Sequence, residues 1–285
     1  MKPVNFIALF LLLAAAHAMA APVAMITDLK GKVSVIEGGK ARPATLLTYL
    51  APDNRLQLEA GAQVVLTYFS KPLEVTLAGP ADATIATDGA QVSKGAKPLI
   101  RSLGAERVNS ARRFEPVARE QLALATVHMR ASAKPAPRPT YPSDTAIVSI
   151  TPALEWAELP AATGYRILLK DAAGVILIDE TVARPPLAIT AKHALKPGAS
   201  YEWRVEAKLA SGTPPSAETK FSVLATAQAK ALKAAQPKPG DSFSTRLLYA
   251  ARLQAEGLNA DAKRLWTTLA AERPEDENLK QLATP

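Results

Sequence analysis

The sequence predicts a mainly β protein, made of two small antiparallel β modules followed by a C-terminal α-helical hairpin. Three observations predict it. Residues 22–98 hold short β-branched and aromatic runs separated by turn clusters, residues 144–224 repeat that pattern with a period of two, and beyond residue 241 the apolar spacing becomes helical.

The first residues belong to neither class. Lys2 precedes an uncharged stretch from Pro3 to Thr27, and its apolar block, Phe6 to Ala16, runs into Ala18, Met19, Ala20 and Ala21. A basic end, a short apolar segment and a small-x-small site form the pattern of an export signal. The block is shorter than the roughly 20 apolar residues of a spanning helix, and His17 and Pro22 stand where its outer half would be. Residues 1–20 therefore read as a signal peptide cleaved after Ala20, which makes the product periplasmic or secreted. No later segment has spanning length, so no transmembrane helix is expected after cleavage. The chain has no cysteine, which excludes disulfide staples and a lipidated cleavage site.

The formal charge of +8 is concentrated. Lys94 to Arg138 carries ten basic residues, Arg101, Arg107, Arg112, Arg113 and Arg119 among them, against three acids, and the rest of the mature chain balances. In an exported protein such a segment suits an anionic surface, peptidoglycan or an anionic polysaccharide, and not nucleic acid. A solubilising linker is the plainer reading of the same residues.

In residues 22–98, Lys32 to Ile36 alternates, Glu37-Gly38-Gly39-Lys40 is a hairpin signal, and Gln63 to Phe69 and Leu73 to Leu77 are strand-like. Tyr68 and Phe69 point to opposite faces of one strand, so one of them should be exposed or covered by another module. Most of residues 24–92 resembles a FecR-like domain. The matching segments are Gly31-Lys32-Val33-Ser34-Val35, Gly38-Gly39, Pro52 to Gly61, Ala62 to Phe69 and Leu77-Ala78-Gly79-Pro80-Ala81. The chain departs from the family at Pro52-Asp53, where a Gly-Asp pair has lost its glycine, and near Leu47, where glycine is usual. FecR-like domains are associated with signal sensing across the envelope. The regulators that carry them also have a cytoplasmic segment and a membrane helix, and this chain resembles a stand-alone member.

Residues 99–143 read as a basic, Pro-rich connecting segment. Arg107 to Gln121 has a weak helical period, Leu122 to Met129 could be a strand closing either β module, and Lys134 to Ser143 holds four prolines that favour an extended spacer. Residues 144–224 then hold seven expected strands. Tyr201, Trp203 and Val205 alternate with Glu202, Arg204 and Glu206, which marks one core face and one wet face. Thr151-Pro152 with Leu154 and Trp156, Tyr165 after a glycine, and Leu195 to Val205 resemble a fibronectin type III-like sandwich, which implies that Trp156, Tyr165 and Trp203 are core.

Residues 225–241 read as an Ala/Lys-rich helix stopped by a Pro-rich linker. In residues 242–285, Asp241 or Ser242 caps a helix to about Glu256, Gly257 turns the chain, and a second helix runs to about Glu272. The offsets of Gly257, Ala262, Trp266 and Pro274 resemble the second half of a tetratricopeptide repeat. A lone helical hairpin cannot bury its own apolar face, so Trp266, Leu248 and Leu253 need a second surface, in the chain or on a partner.

No catalytic, cofactor or metal constellation is visible. The mature chain has two histidines, His128 and His193, on either side of a module boundary, and its acids are scattered. The combined expectation is a non-catalytic interaction or sensory-accessory protein of a bacterial envelope. It would bind a protein partner through its β modules and hairpin, with cell-wall glycan or anionic-polymer binding as the alternative.

Overall fold

The computed structural model describes residues 21–104, 108, 112–114, 136–210 and 215–284. The expected export segment, the expected strand at Leu122 to Met129, Arg107, Arg119 and His128 lie outside the described residues.

Among the described residues ten strands form the first module: β1 (Ala24–Lys30), β2 (Val33–Glu37), β3 (Lys40–Pro43), β4 (Tyr49–Leu50), β5 (Arg55–Leu58), β6 (Gln63–Tyr68), β7 (Leu73–Ala78), β8 (Ala81–Ala86), β9 (Gly89–Lys94) and β10 (Leu99–Ser102). They make two five-stranded sheets, ordered β10-β7-β6-β1-β4 and β3-β2-β5-β8-β9, and every pairing within them is antiparallel. β8 buries every second residue, the period of a strand with one wet face. β1 buries Ala24, Met25, Ile26 and Thr27 in succession, which requires cover on both faces. Gly79 is fixed by space, because a Cβ there would stand 1.9 Å from the Glu59 carbonyl oxygen.

The second module contains β11 (Arg138–Tyr141), β12 (Thr145–Ile147), β13 (Ala153–Ala157), β14 (Gly164–Asp171), β15 (Ile176–Val182), β16 (Leu187–Ala188), β17 (Ser200–Lys208) and β18 (Ser216–Val223). A three-stranded sheet, β11-β13-β16, faces a five-stranded one, β12-β18-β17-β14-β15. This is the fibronectin type III-like sandwich that the residue pattern implied. Trp203 and Tyr165 are fully buried and Trp156 nearly so, with the Trp156 ring 5.3 Å from Tyr165 and 6.4 Å from Trp203. Trp203 Nε1 donates to the Pro142 carbonyl at 2.7 Å, so the indole is buried with its polar atom satisfied. The boundaries shift at two places. Arg138–Tyr141 is an edge strand paired with β13 and not a spacer, since proline is tolerated where no ladder N–H is needed. Leu99–Ser102 belongs to the first module.

Four helices close the chain: α1 (Thr226–Ala234), α2 (Phe243–Ala255), α3 (Asn259–Glu272) and α4 (Glu277–Ala283). Ser242 caps α2 by accepting the Thr245 N–H, and Asp276 caps α4 by accepting that of Leu279. The expected hairpin is therefore α2 and α3, extended by a further helix.

These helices lie on the first module. Met25, Ile26, Leu46, Tyr68 and Phe69 share one core cluster with Leu247, Leu248, Trp266, Leu279 and Leu282. This is why β1 is buried on both faces and why both Tyr68 and Phe69 are buried, neither being left exposed. Polar contacts fix the docking. Arg273 meets Asp28 at 3.1 Å, Asn278 donates to the Leu46 carbonyl at 2.8 Å, and Leu46 N–H donates to Asp276 at 3.2 Å. The sandwich, intervening in sequence, touches the helices at the turn after α2. There Ala146 N–H donates to the Gly257 carbonyl at 2.7 Å and Asn259 donates to that of Asp144 at 2.8 Å.

Candidate interaction surface

β10 is the outermost strand of its sheet and pairs with β7, setting Leu99 opposite Thr76, Ile100 opposite Val75, Arg101 opposite Glu74 and Ser102 opposite Leu73. Leu103 N–H donates to the Pro72 carbonyl. Backbone groups alternate in direction along an antiparallel strand. Those of Leu99 and Arg101 therefore face β7, and those of Ile100 and Ser102 face outward, where no described strand pairs with them. Two large apolar side chains stand on this open edge, Leu99 at 71% and Ile100 at 57% exposure. They point to opposite faces of the strand. Leu99 is on the side that α2 covers, and Ile100 is on the side of buried Val75.

The edge is held rigidly from behind. Arg101 bonds Glu74 at 2.7 Å, and the second Glu74 carboxylate oxygen accepts from Ser244 of α2 at 2.9 Å. The Ser244 hydroxyl is also 2.9 Å from Thr27 Oγ1, which lies 3.3 Å from Thr67 Oγ1. Thr27, Thr67, Glu74 and Ser244 are buried, and a buried carboxylate is tolerated because both its oxygens are bonded. Lys94, at the end of β9, and Lys97, just before β10, are exposed and form no ion pair with a described residue.

The residues expected to contact a partner lie elsewhere. Trp266 and Leu248 are almost fully buried and Leu253 nearly so. The Trp266 ring lies 5.6 Å from Phe114, and its Nε1 donates to Gln254 at 3.1 Å. The second surface that these side chains need is the first β module, so they complete a core within the chain and are not offered outward. Leu253 also lines the floor of a groove of about 740 Å³ with Leu232, Tyr249, Leu258 and Leu265, where α1, α2 and α3 meet the sandwich loop at Val148. Burial raises the Tyr249 hydroxyl above its ordinary range.

The expected anionic-surface arginines separate. Arg101 belongs to the β10 edge. Arg112 donates to the Phe69 carbonyl at 3.1 Å, and Arg113 stands 4.0 Å from Glu256. Those two, with Arg252 and Glu256, line a separate pocket of about 510 Å³ beside α1. His193 is half-buried in a short 3₁₀ turn. Among the described residues no group of three or more His, Cys, Asp or Glu could hold a metal ion. No described helix is long and apolar enough to cross a membrane.

No family model matches the chain, and no curated protein does. Solved structures similar to parts of it include two fibronectin type III structures. The fn3 domain of human collagen alpha-1(XX) chain is 11% identical, with 41% of this chain and 95% of that one covered and a TM-score of 0.24. The FN1-FN3 domains of chicken CNTN1 are 12% identical, with 70% of this chain and 55% of that one covered and a TM-score of 0.22. The sandwich assignment rests on the strand order and core given above.

Sequence reasoning passed over Leu99 and Ile100. Lys97-Pro98-Leu99-Ile100-Arg101 is too short to show a period, and its charge suggested a linker. An adjacent apolar pair between cations was the available signal.

Proposed function

We propose that this chain is an exported, non-catalytic interaction protein of a bacterial envelope, and that it holds an extended segment of a protein partner along the open edge of β10. The observation that carries the reading is the pair Leu99 and Ile100, strongly exposed on the two faces of an edge strand whose outward backbone groups are unpaired by any described strand. Natural sheets blunt their edges with charge, proline or cover. An edge that is apolar on both faces suits strand addition, in which backbone hydrogen bonds supply affinity and side chains supply selectivity. The export pattern of residues 1–20 supports the location, and the FecR-like resemblance supports a sensory-accessory role. The tetratricopeptide-like helices then act as the fixed backing of the first module.

The test is a photocrosslinking residue placed at Leu99 of the full chain in intact cells, with one at Val175 on a distant hairpin as control. A partner adduct at position 99 that disappears in Ser102→Pro supports the reading, because proline there removes one outward N–H and spares the ladder to β7. An adduct that survives Ser102→Pro, or adducts at 175 alone, contradicts it.

A second reading, binding of peptidoglycan or another anionic polymer, is favoured by Arg112 and Arg113, both exposed beside their pocket. Retention on purified peptidoglycan that falls with salt and is lost in Arg112→Gln/Arg113→Gln supports it. No retention at low salt removes it.

A further inference from the structure

We infer that the occupant of the β10 edge is an acid-flanked extended segment with two adjacent apolar residues, and not a second copy of this chain. This rests on the strand-addition reading above. The apolar requirement follows from register. Leu99 and Ile100 project from opposite faces, so an added strand must offer an apolar side chain to each face, and its neighbouring residues do so by the strand's own alternation.

The acidic requirement follows from what borders the edge. Lys97 is two residues before Leu99 and Arg101 two residues after it, and Lys97 is exposed. The one carboxylate paired with this set is Glu74, which is buried behind the strand and already engaged by Arg101 and Ser244. Among the described residues Lys97 has no ion-pair partner, whereas Lys94 on β9 stands opposite Asp82. A second copy docked edge to edge about a two-fold centred on Leu99 would set Lys97 against Arg101, one centred on Arg101 would set that residue against itself, and like charges directly opposite oppose pairing; one centred on Ile100 would set Leu99 against Arg101, an apolar side chain against a cation. An extended segment with Asp or Glu two residues to either side of one apolar residue, the spacing of Lys97 and Arg101 about Leu99, meets both cations instead. Charge thus selects the partner and its register, while the apolar pair and the outward backbone groups of Ile100 and Ser102 supply attachment.

The test uses the purified full chain and two fluorescent peptides, acetylated Glu-Val-Ile-Val-Glu and its Lys-Val-Ile-Val-Lys counterpart, read by anisotropy. The acidic peptide should bind about tenfold tighter at low salt, from two exposed pairs switched between attraction and repulsion. The preference should shrink at about 0.5 M salt, where the Debye length falls toward a few ångströms. Lys97→Glu should abolish it, with thermal melting showing that the variant is folded. Equal binding of both peptides, abolished by Ser102→Pro, overturns the charge inference and leaves strand addition standing. Binding of neither peptide, or binding indifferent to Ser102→Pro, overturns both. Sedimentation showing a dimer that Ser102→Pro dissociates overturns the choice of occupant in favour of a second copy.

Discussion

Leu248→Ala tests whether the C-terminal helices and the first β module fold as one unit. Leu248 is 1% exposed, in the same cluster as Met25, Ile26, Leu66, Tyr68 and Trp266. Truncating a leucine in a packed core costs about 2–5 kcal/mol, since the transfer term and the cavity term add. Polar ties across the interface (Ser244 to Glu74, Arg273 to Asp28, Asn278 to Leu46) hold it in register, so the site has little room to collapse and the upper half of that range is expected. The assay is native-state amide exchange. Protection should fall together in α2, α3, β1 and β6, while β14 and β17 of the sandwich keep theirs. A loss confined to α2 and α3, with β1 unchanged, would refute the shared unit and make the helices an independent element.

Other consequences follow from the same contacts. Glu74→Ala removes the carboxylate that accepts from both Arg101 and Ser244, leaving the Ser244 hydroxyl with Thr27 alone, and should cost about 1–3 kcal/mol, measured by chemical denaturation. Asp53 sits at φ 67° on an exposed turn, so Asp53→Val should be about 1–2 kcal/mol less stable than Asp53→Gly in the same assay. Ser102→Pro should leave the denaturation midpoint within about 0.5 kcal/mol of wild type, because the N–H it removes faces away from β7. The Arg246 guanidinium beside Glu272 holds that carboxyl below its ordinary value of 4.5. A carboxyl with a lowered folded value contributes stability that is present above its unfolded value and is lost as pH falls through the folded one. Glu272→Gln should therefore lower stability at neutral pH, flatten the acid limb below about pH 4.5, and change little at still lower pH, where Glu272 is protonated in both states.

Much of the β architecture was legible because alternation is a local property. Tyr201, Trp203 and Val205 announced the inward face of β17, and Gly38-Gly39 announced the β2–β3 hairpin. Leu47 and Asp53 both adopt positive φ, 63° and 67°, a conformation that favours glycine and that their side chains do not announce. Tertiary placement was less accessible. The succession Ala24-Met25-Ile26-Thr27 signals cover on both faces of β1, yet nothing local says that the cover is α2, more than two hundred residues later. Trp266, Leu248 and Leu253 were recognised as needing a surface, and the identity of that surface depends on the whole fold. The prolines at 137, 139 and 142 hid β11, since an edge strand and an extended spacer share their backbone preference. The β10 edge was hidden by its brevity, four residues having no measurable period.

In the proposed complex a partner segment adds to the sheet at β10. Amide exchange at Ile100 and Ser102, followed with and without a saturating extended peptide, tests it most directly because those two N–H groups face outward. Protection gained at Ile100 and Ser102, with Leu99 and Arg101 already protected by β7 beforehand, is the predicted result. Peptide bound at saturation with Ile100 and Ser102 still exchanging freely would contradict it.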